Sequence, residues 1–277
     1  MRAKLVLFSS LLIFSFAKAQ GTFAGIHIGY GAPGSMTVLG QNFERNDPGN
    51  TFSRENVKGS YGAGFNFGAY GGYMFDNTFG LELGVNYGLG TKYKFTDNHI
   101  ISPNTTDNYE DEVFARSLLL APSLRIEFGE AKIRFYVRGG ATFGIMSKIT
   151  DNSTETFITP GSTDVTLQTF EYKKGLSIGF TSALGMKIPL SDKIAFTLEA
   201  TNYYINWAPK KGEITKATLN GADQLGGMTT DEKEYEFVDK VDQTMNTSSS
   251  QPTKQLRVYF PMNSFGLTVG LHFAFGG

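Results

Sequence analysis

Residues 79–95 read FGLELGVNYGLGTKYKF, and their two faces have opposite chemistry. Successive side chains of a β-strand point to opposite sides. The odd positions Phe79, Leu81, Leu83, Val85, Tyr87, Leu89, Thr91, Tyr93 and Phe95 make one face apolar with aromatic ends. The even positions Gly80, Glu82, Gly84, Asn86, Gly88, Gly90, Lys92 and Lys94 make the other glycine-rich and polar. A strand of a soluble sandwich is rarely this long or this cleanly divided. The segment therefore predicts a strand with lipid on one side and a narrow polar interior on the other.

Seven further segments repeat the pattern: 23–31, 61–75, 113–128, 132–147, 173–189, 193–207 and 258–275. In 113–128, for example, Phe114, Leu118, Leu120, Leu124, Ile126 and Phe128 share a face with Pro122. Crossing a bilayer takes roughly 9–11 tilted residues, which these segments reach or exceed. Asp76-Asn77-Thr78, Gly129-Glu130-Ala131 and Ser191-Asp192 are turn-forming residues that join strands tightly. Long polar segments near 32–60, 96–112, 148–172 and 208–257 join the rest. Short turns on one side and long loops on the other are the pattern of outer-membrane barrels. The expected fold is all-β: an eight-stranded antiparallel up-and-down transmembrane β-barrel with an N-terminal signal peptide and both chain ends in the periplasm. Pro122 lacks the donor that a ladder needs and predicts a bulge or a local edge in its strand.

The 277 residues fit one domain. Residues 1–19 read as a cleaved export signal: Arg2 and Lys4, an apolar run, then Ala17-Lys18-Ala19 as an A-x-A site. Residues 20–277 are then the barrel domain. Removing the signal takes three of the 25 basic residues and none of the 26 acids, leaving 22 against 26, a net charge of −4. No basic stripe marks a nucleic-acid binder. With no cysteine, neither disulfides nor lipid attachment through an N-terminal cysteine is available. After residue 19 no apolar run is long enough for a membrane-crossing helix.

The segments SLLLAPSLRIEF (117–128) and KIRFYVRGGATFGIMSK (132–148), with the final strand GLTVGLHFAF, resemble the outer-membrane β-barrel domain family. That porin-like family includes the eight-stranded barrels related to OmpA and OmpX. The resemblance covers nearly all of 21–277. It implies an outer-membrane location and says little about role. The final strand resembles the signal read by the outer-membrane insertion machinery, except that Gly276-Gly277 follow Phe275.

Eight strands enclose an interior that side chains just fill. The inward charges are Glu82, Arg125, Glu127, Lys132, Arg134, Arg138, Lys187 and Glu199. Buried charges must be paired or wet, so these predict a salt-bridged plug. His27 and His272 also face inward on strands that must be neighbours, and predict an interior pair. Neither metal nor cofactor is expected. No His–Ser set assembles at a rim, so no enzyme is expected. Tyr30, Tyr61, Tyr93, Phe95, Phe114, Tyr204 and Trp207 predict an outer aromatic girdle, and the segment 208–257 a mobile or partner-binding loop. A soluble ligand-binding barrel would reverse the faces, with charges outside. The expected role is structural or interactive in the cell envelope, as an accessory subunit of an envelope or secretion complex. The partners are the lipid bilayer and other outer-membrane or periplasmic proteins. A narrow pore gated by the interior salt bridges is the alternative.

Overall fold

The computed structural model describes residues 21–129, 133–241 and 249–275. The expected signal at 1–19, Lys132, the turn residues Glu130 and Ala131, and Gly276-Gly277 lie outside them. Among the described residues almost all regular structure is strand, in one sheet.

Eight strands pair in a cycle: β1 (Gly21–Pro33), β4 (Gly64–Met74), β5 (Phe79–Gly90), β7 (Thr105–Phe128), β8 (Arg134–Thr159), β10 (Ser177–Pro189), β11 (Ile194–Trp207) and β17 (Ser264–Phe275). Each is antiparallel to the next, and β17 pairs back onto β1 through Thr22↔Phe275 to Pro33↔Ser264. Every member of this cycle pairs with a neighbour on both sides, so most of its backbone donors and acceptors are met by other strands. Asp76 Oδ1 closes the β4–β5 turn by accepting from the N–H groups of Thr78 and Phe79 at 2.6 and 2.7 Å. The side chains fall as the alternation requires. Phe79, Leu81, Leu83 and Val85 are exposed, while Gly80, Glu82, Gly84 and Asn86 are buried.

The strand count differs from expectation: seventeen, not eight, among the described residues. Of the other nine, eight lie wholly or mainly in the segments expected as polar connections: β2 (Thr37–Asn46), β3 (Thr51–Gly59), β6 (Tyr93–Ser102, whose first three residues were expected at the end of the strand 79–95), β9 (Ser162–Lys173), β12 (Lys211–Leu219), β13 (Ala222–Asp223), β14 (Glu234–Val238) and β15 (Thr253–Leu256); the ninth, β16 (Phe260–Pro261), is a separate piece at the start of the expected strand 258–275. A single helical turn, α1 (Thr230–Lys233), precedes β14. β7 and β8 run on past the cycle as one long hairpin, from Arg116↔Lys148 out to Thr106↔Ile158. β6 then β2 and β3 add to its β7 side; β9, β12, β14 and β15 add to its β8 side. Their sequences hide this because most of these strands are short or carry polar residues on both faces, so the polar–apolar alternation is brief where it shows at all, as in EYEFV of β14. Threonine is β-branched and suits a strand whichever face it takes. Asn220-Gly221, with φ of 50° and 81°, makes the two-residue turn from β12 to β13.

Where the cycle meets this extension, Tyr61, Val113, Leu119, Ile149, Ile205 and Trp207 belong to one buried apolar cluster, with Tyr93 and Phe95 packed against it. Tyr61, Tyr93, Phe95 and Trp207 were expected in the outer girdle and instead turn inward. Trp207 shares the parity of inward Glu199 and Tyr203. β5 ends at Gly90 and β6 restarts at Tyr93, which lets Tyr93 and Phe95 change face; Tyr61 lies in the turn before β4. Tyr30 and Tyr204 do face outward. Burying each such aromatic contributes about 1.5–3 kcal/mol. At Pro122 the ladder to β8 skips from Leu120↔Phe143 to Ser123↔Gly140, leaving Ala121 and Pro122 unpaired on that side.

Beyond the cluster, the half-buried Asp151 faces the same interior as Asp111. Burial, and then the Asp111 carboxylate, pushes the Asp151 carboxyl up to about 7. An acid raised on folding stabilises the fold while protonated. That contribution is complete below its unfolded value of about 3.9 and is lost as pH rises through 7. Asp151→Asn should therefore increase hydrogen-exchange protection of amides 149–158 at pH 8, with the gain shrinking toward pH 5. Equal or lower protection in the variant at pH 8 would count against this account.

Candidate functional site: the charged interior

Inside the cycle, alternate positions of five strands converge. β5 supplies Glu82; β7 supplies Arg125 and Glu127; β8 supplies Arg134, Tyr136 and Arg138; β10 supplies Lys187 and β11 Glu199. The glycines opposite them make the room. Gly185 lies under the Tyr136 ring and Gly25 under the Tyr70 ring, so a Cβ at either position would collide with the aromatic.

The charges form two joined groups. In the middle of the interior, Arg125 Nη1 donates to Glu82 Oε2 at 2.7 Å, and Arg138 Nε lies 3.6 Å from Glu82 Oε1. Arg138 also donates to both oxygens of Glu199, at 3.2 and 2.9 Å. Glu199 further accepts from the Tyr136 hydroxyl at 2.7 Å and the Thr268 hydroxyl at 3.3 Å. Toward the end that carries the short turns, Glu127 accepts from Lys187 Nζ at 2.7 and 2.6 Å and lies 3.5 Å from Arg134 Nη1. Arg125 joins the groups by donating from Nε to Glu127 at 2.9 Å. Arg134 also donates to the Asn77 carbonyl at 2.6 Å.

Arg125 is 0% exposed. Its guanidinium carbon sits 3.7 Å from the Tyr136 ring centre, 5.2 Å from Phe23 and 5.9 Å from Tyr70. Among the described residues its Nη2 has no hydrogen-bond partner; the aromatic faces around the guanidinium supply cation–π attraction instead. Four basic side chains (Arg125, Arg134, Arg138, Lys187) against three acids (Glu82, Glu127, Glu199) leave the set at +1.

The seven charges named from sequence among the described residues thus meet in one network. The histidines do not meet each other. The β1–β17 register sets His27 opposite Gly270 and His272 opposite Gly25, and the Tyr70 ring lies 6.1 Å from each histidine ring. His27 Nε2 instead contacts Asn86 Oδ1 at 2.7 Å, and His272 Nδ1 contacts the Tyr70 hydroxyl at 3.3 Å. The two-residue stagger of that register separates them, a quantity no single strand's sequence contains. Tyr70 and Tyr136 were missed as members. Their parity, even positions of 61–75 and 132–147, was the available signal.

Two small cavities flank the network. One of about 30 Å³ lies between Asn66, Asn86, Ser117 and the apolar cluster. Another of about 110 Å³ lies at the turn-side mouth beside Arg134, Lys187 and His272. The first is of the order of a single water. Among the described residues no group of three or more His, Asp or Glu side chains gathers to hold a metal ion.

Removing one partner of a buried ion pair strands the other charge, which costs about 3–5 kcal/mol, whereas replacing both by apolar groups is often close to neutral. Glu199→Leu should therefore lower the unfolding free energy by about that amount, and Glu199→Leu with Arg138→Met should recover much of it. Urea unfolding in detergent or vesicles measures both, and a double variant as unstable as the sum of the singles would contradict the network.

Two solved structures align along most of the chain. The outer membrane protein OprG from Pseudomonas aeruginosa is 12% identical and aligns over 94% of this chain and 98% of its own, with a TM-score of 0.42. Ail, the attachment invasion locus protein of Yersinia pestis, is 12% identical over 92% of this chain and 99% of its own, with a TM-score of 0.27. No curated protein matches the chain. The sequence pattern of the outer membrane protein β-barrel domain matches residues 5–273, and with polar groups inside and apolar groups outside the chain belongs to that family.

Proposed function

We propose that the eight mutually paired strands form a transmembrane barrel closed to solutes, and that the protein serves the cell envelope as a structural and interaction protein rather than an enzyme. The observation that carries this reading is the Glu82–Arg125–Arg138–Glu199 network, whose four residues are at most 5% exposed and come from four strands around the interior. A solute would have to separate these pairs and move the Tyr136 and Tyr70 rings to pass.

The extension supports the interaction role. β7 has 24 residues and β8 has 26, against the roughly 9–11 that a bilayer crossing uses. The surplus stands outside the membrane as ordered sheet, the form of surface that a partner can bind without first ordering it. The short turns then lie in the periplasm and the extension outside the cell. A second reading, a narrow pore, draws on Arg138, which has both Glu82 and Glu199 within reach and could exchange between them.

Planar-bilayer recording of the purified protein separates the two. The expected result is no steady conductance for the native chain and measurable conductance for Glu199→Ala with Arg138→Ala, which empties the centre of the plug. Steady conductance from the native chain would favour the pore.

A further inference from the structure

The wall of the cycle has a notch where β8 changes partners. β8 pairs with β10 as far as Gly144↔Ser177 and with β9 only from Ile149↔Tyr172. Of residues 145–148, Met146, Ser147 and Lys148 therefore have ladder partners on the β7 side alone, facing Leu118, Ser117 and Arg116, and Ile145 is a bulge with no ladder partner on either side. The chain crosses the gap through Lys174 and Gly175, with φ of 57° and 111°. On the outer surface the notch opens as a groove of about 590 Å³.

The groove is two-sided in chemistry. Tyr87, Leu118, Ile145 and Met146 line the half toward the apolar outer wall, and Met146 is 67% exposed. Arg116, Lys148, Lys173 and Lys174 line the half toward the extension. Two acids lie beside them: Glu171 pairs with Lys148 and Lys173, and Glu213 with Lys173. Four cations against these two carboxylates leave +2. Arg116 and Lys174 are exposed. Arg116 lies over the Phe114 ring at 5.7 Å, and no ion pair occupies either side chain among the described residues. The row Tyr87–Leu118–Met146 is apolar and the next row, Leu89–Arg116–Lys148, brings in charge. Cations thus enter where the oily wall stops.

We propose that this groove seats one phosphate-bearing lipid of the outer leaflet. Its phosphate lies between Arg116 and Lys174, flanked by Lys148 and Lys173, and an acyl chain lies along Leu118, Ile145 and Met146. Arginine and lysine together match a phosphate by hydrogen-bond geometry and charge, and only an amphiphile satisfies both halves of the groove at once. The proposal rests on the membrane reading above, since it needs the apolar half to face lipid.

The test uses the full-length mature protein in neutral detergent, with bisphosphorylated lipid A as the probe and native mass spectrometry as the readout. The expected result is retention of one lipid by the native chain, and at least tenfold less retention by Arg116→Gln with Lys174→Gln. A control, Lys58→Gln with Lys216→Gln, alters exposed lysines of the extension and should retain lipid like the native chain. Undiminished retention in the first variant overturns the proposal, as does full displacement by millimolar inorganic phosphate, which would show that the apolar half contributes nothing. Insertion into phosphatidylcholine vesicles, read as heat-modifiable gel mobility, is followed in parallel. A chain that inserts without retaining lipid defeats this proposal alone; a chain that never inserts defeats the membrane reading.

Discussion

Arg125 is a permanent cation closed off from bulk solvent, and much of the interior is arranged by that fact. A guanidinium out of water is costly unless carboxylates and aromatic faces replace its hydration. Glu82 and Glu127 supply the carboxylates, and Tyr136, Phe23 and Tyr70 supply the rings. Each of those groups then needs its own support. The Tyr136 hydroxyl is held by Glu199, Glu199 is held by Arg138 and Thr268, and the Tyr136 ring needs the missing side chain of Gly185. The strands that carry these residues lie around the cycle, so the polar core also fixes how far each strand is shifted against its neighbours.

The two halves of the molecule are held by different means. In the cycle, apolar side chains face outward and the polar ones inward, an arrangement that is stable only against lipid. In the extension, long stretches of β7, β8 and β9 are polar on both faces, and backbone ladders with cross-strand pairs carry the structure. Lys92–Glu112 and Lys94–Glu110 are exposed pairs of this kind, screened by solvent and weak one by one. The buried apolar cluster around Ile149 and Trp207 separates the two regimes.

How much could be read from the sequence follows from the same division. Where lipid and interior differ in chemistry, a period of two is visible, and Phe79 to Leu89 shows both the strand and its facing. The seven interior charges follow from that parity. In 148–172 the apolar residues are few and change face, with Val165 and Leu167 on one side of β9 and Phe170 and Tyr172 on the other, so no sustained period marks that strand. The Asn220-Gly221 turn was a local sign that the last long segment would fold. Positions of contact across strands were out of reach for a further reason. Whether His27 meets His272 depends on a stagger set by the whole cycle, and Tyr93 changes face because the chain breaks at Gly90, which no pattern within 79–95 announces.

β7 and β8 each run as one continuous strand from the tip of the extension, at Thr105 and Thr159, into the interior where Arg125 and Arg138 sit, although the ladder between them slips at Leu118–Leu119 and opens at Pro122. They are a pair of continuous tethers and not a tip hinged onto a base. Tension applied at the outer end runs along covalent backbone to the residues that carry the plug, so mechanical load on the exposed face and the seal of the interior are borne by the same two strands.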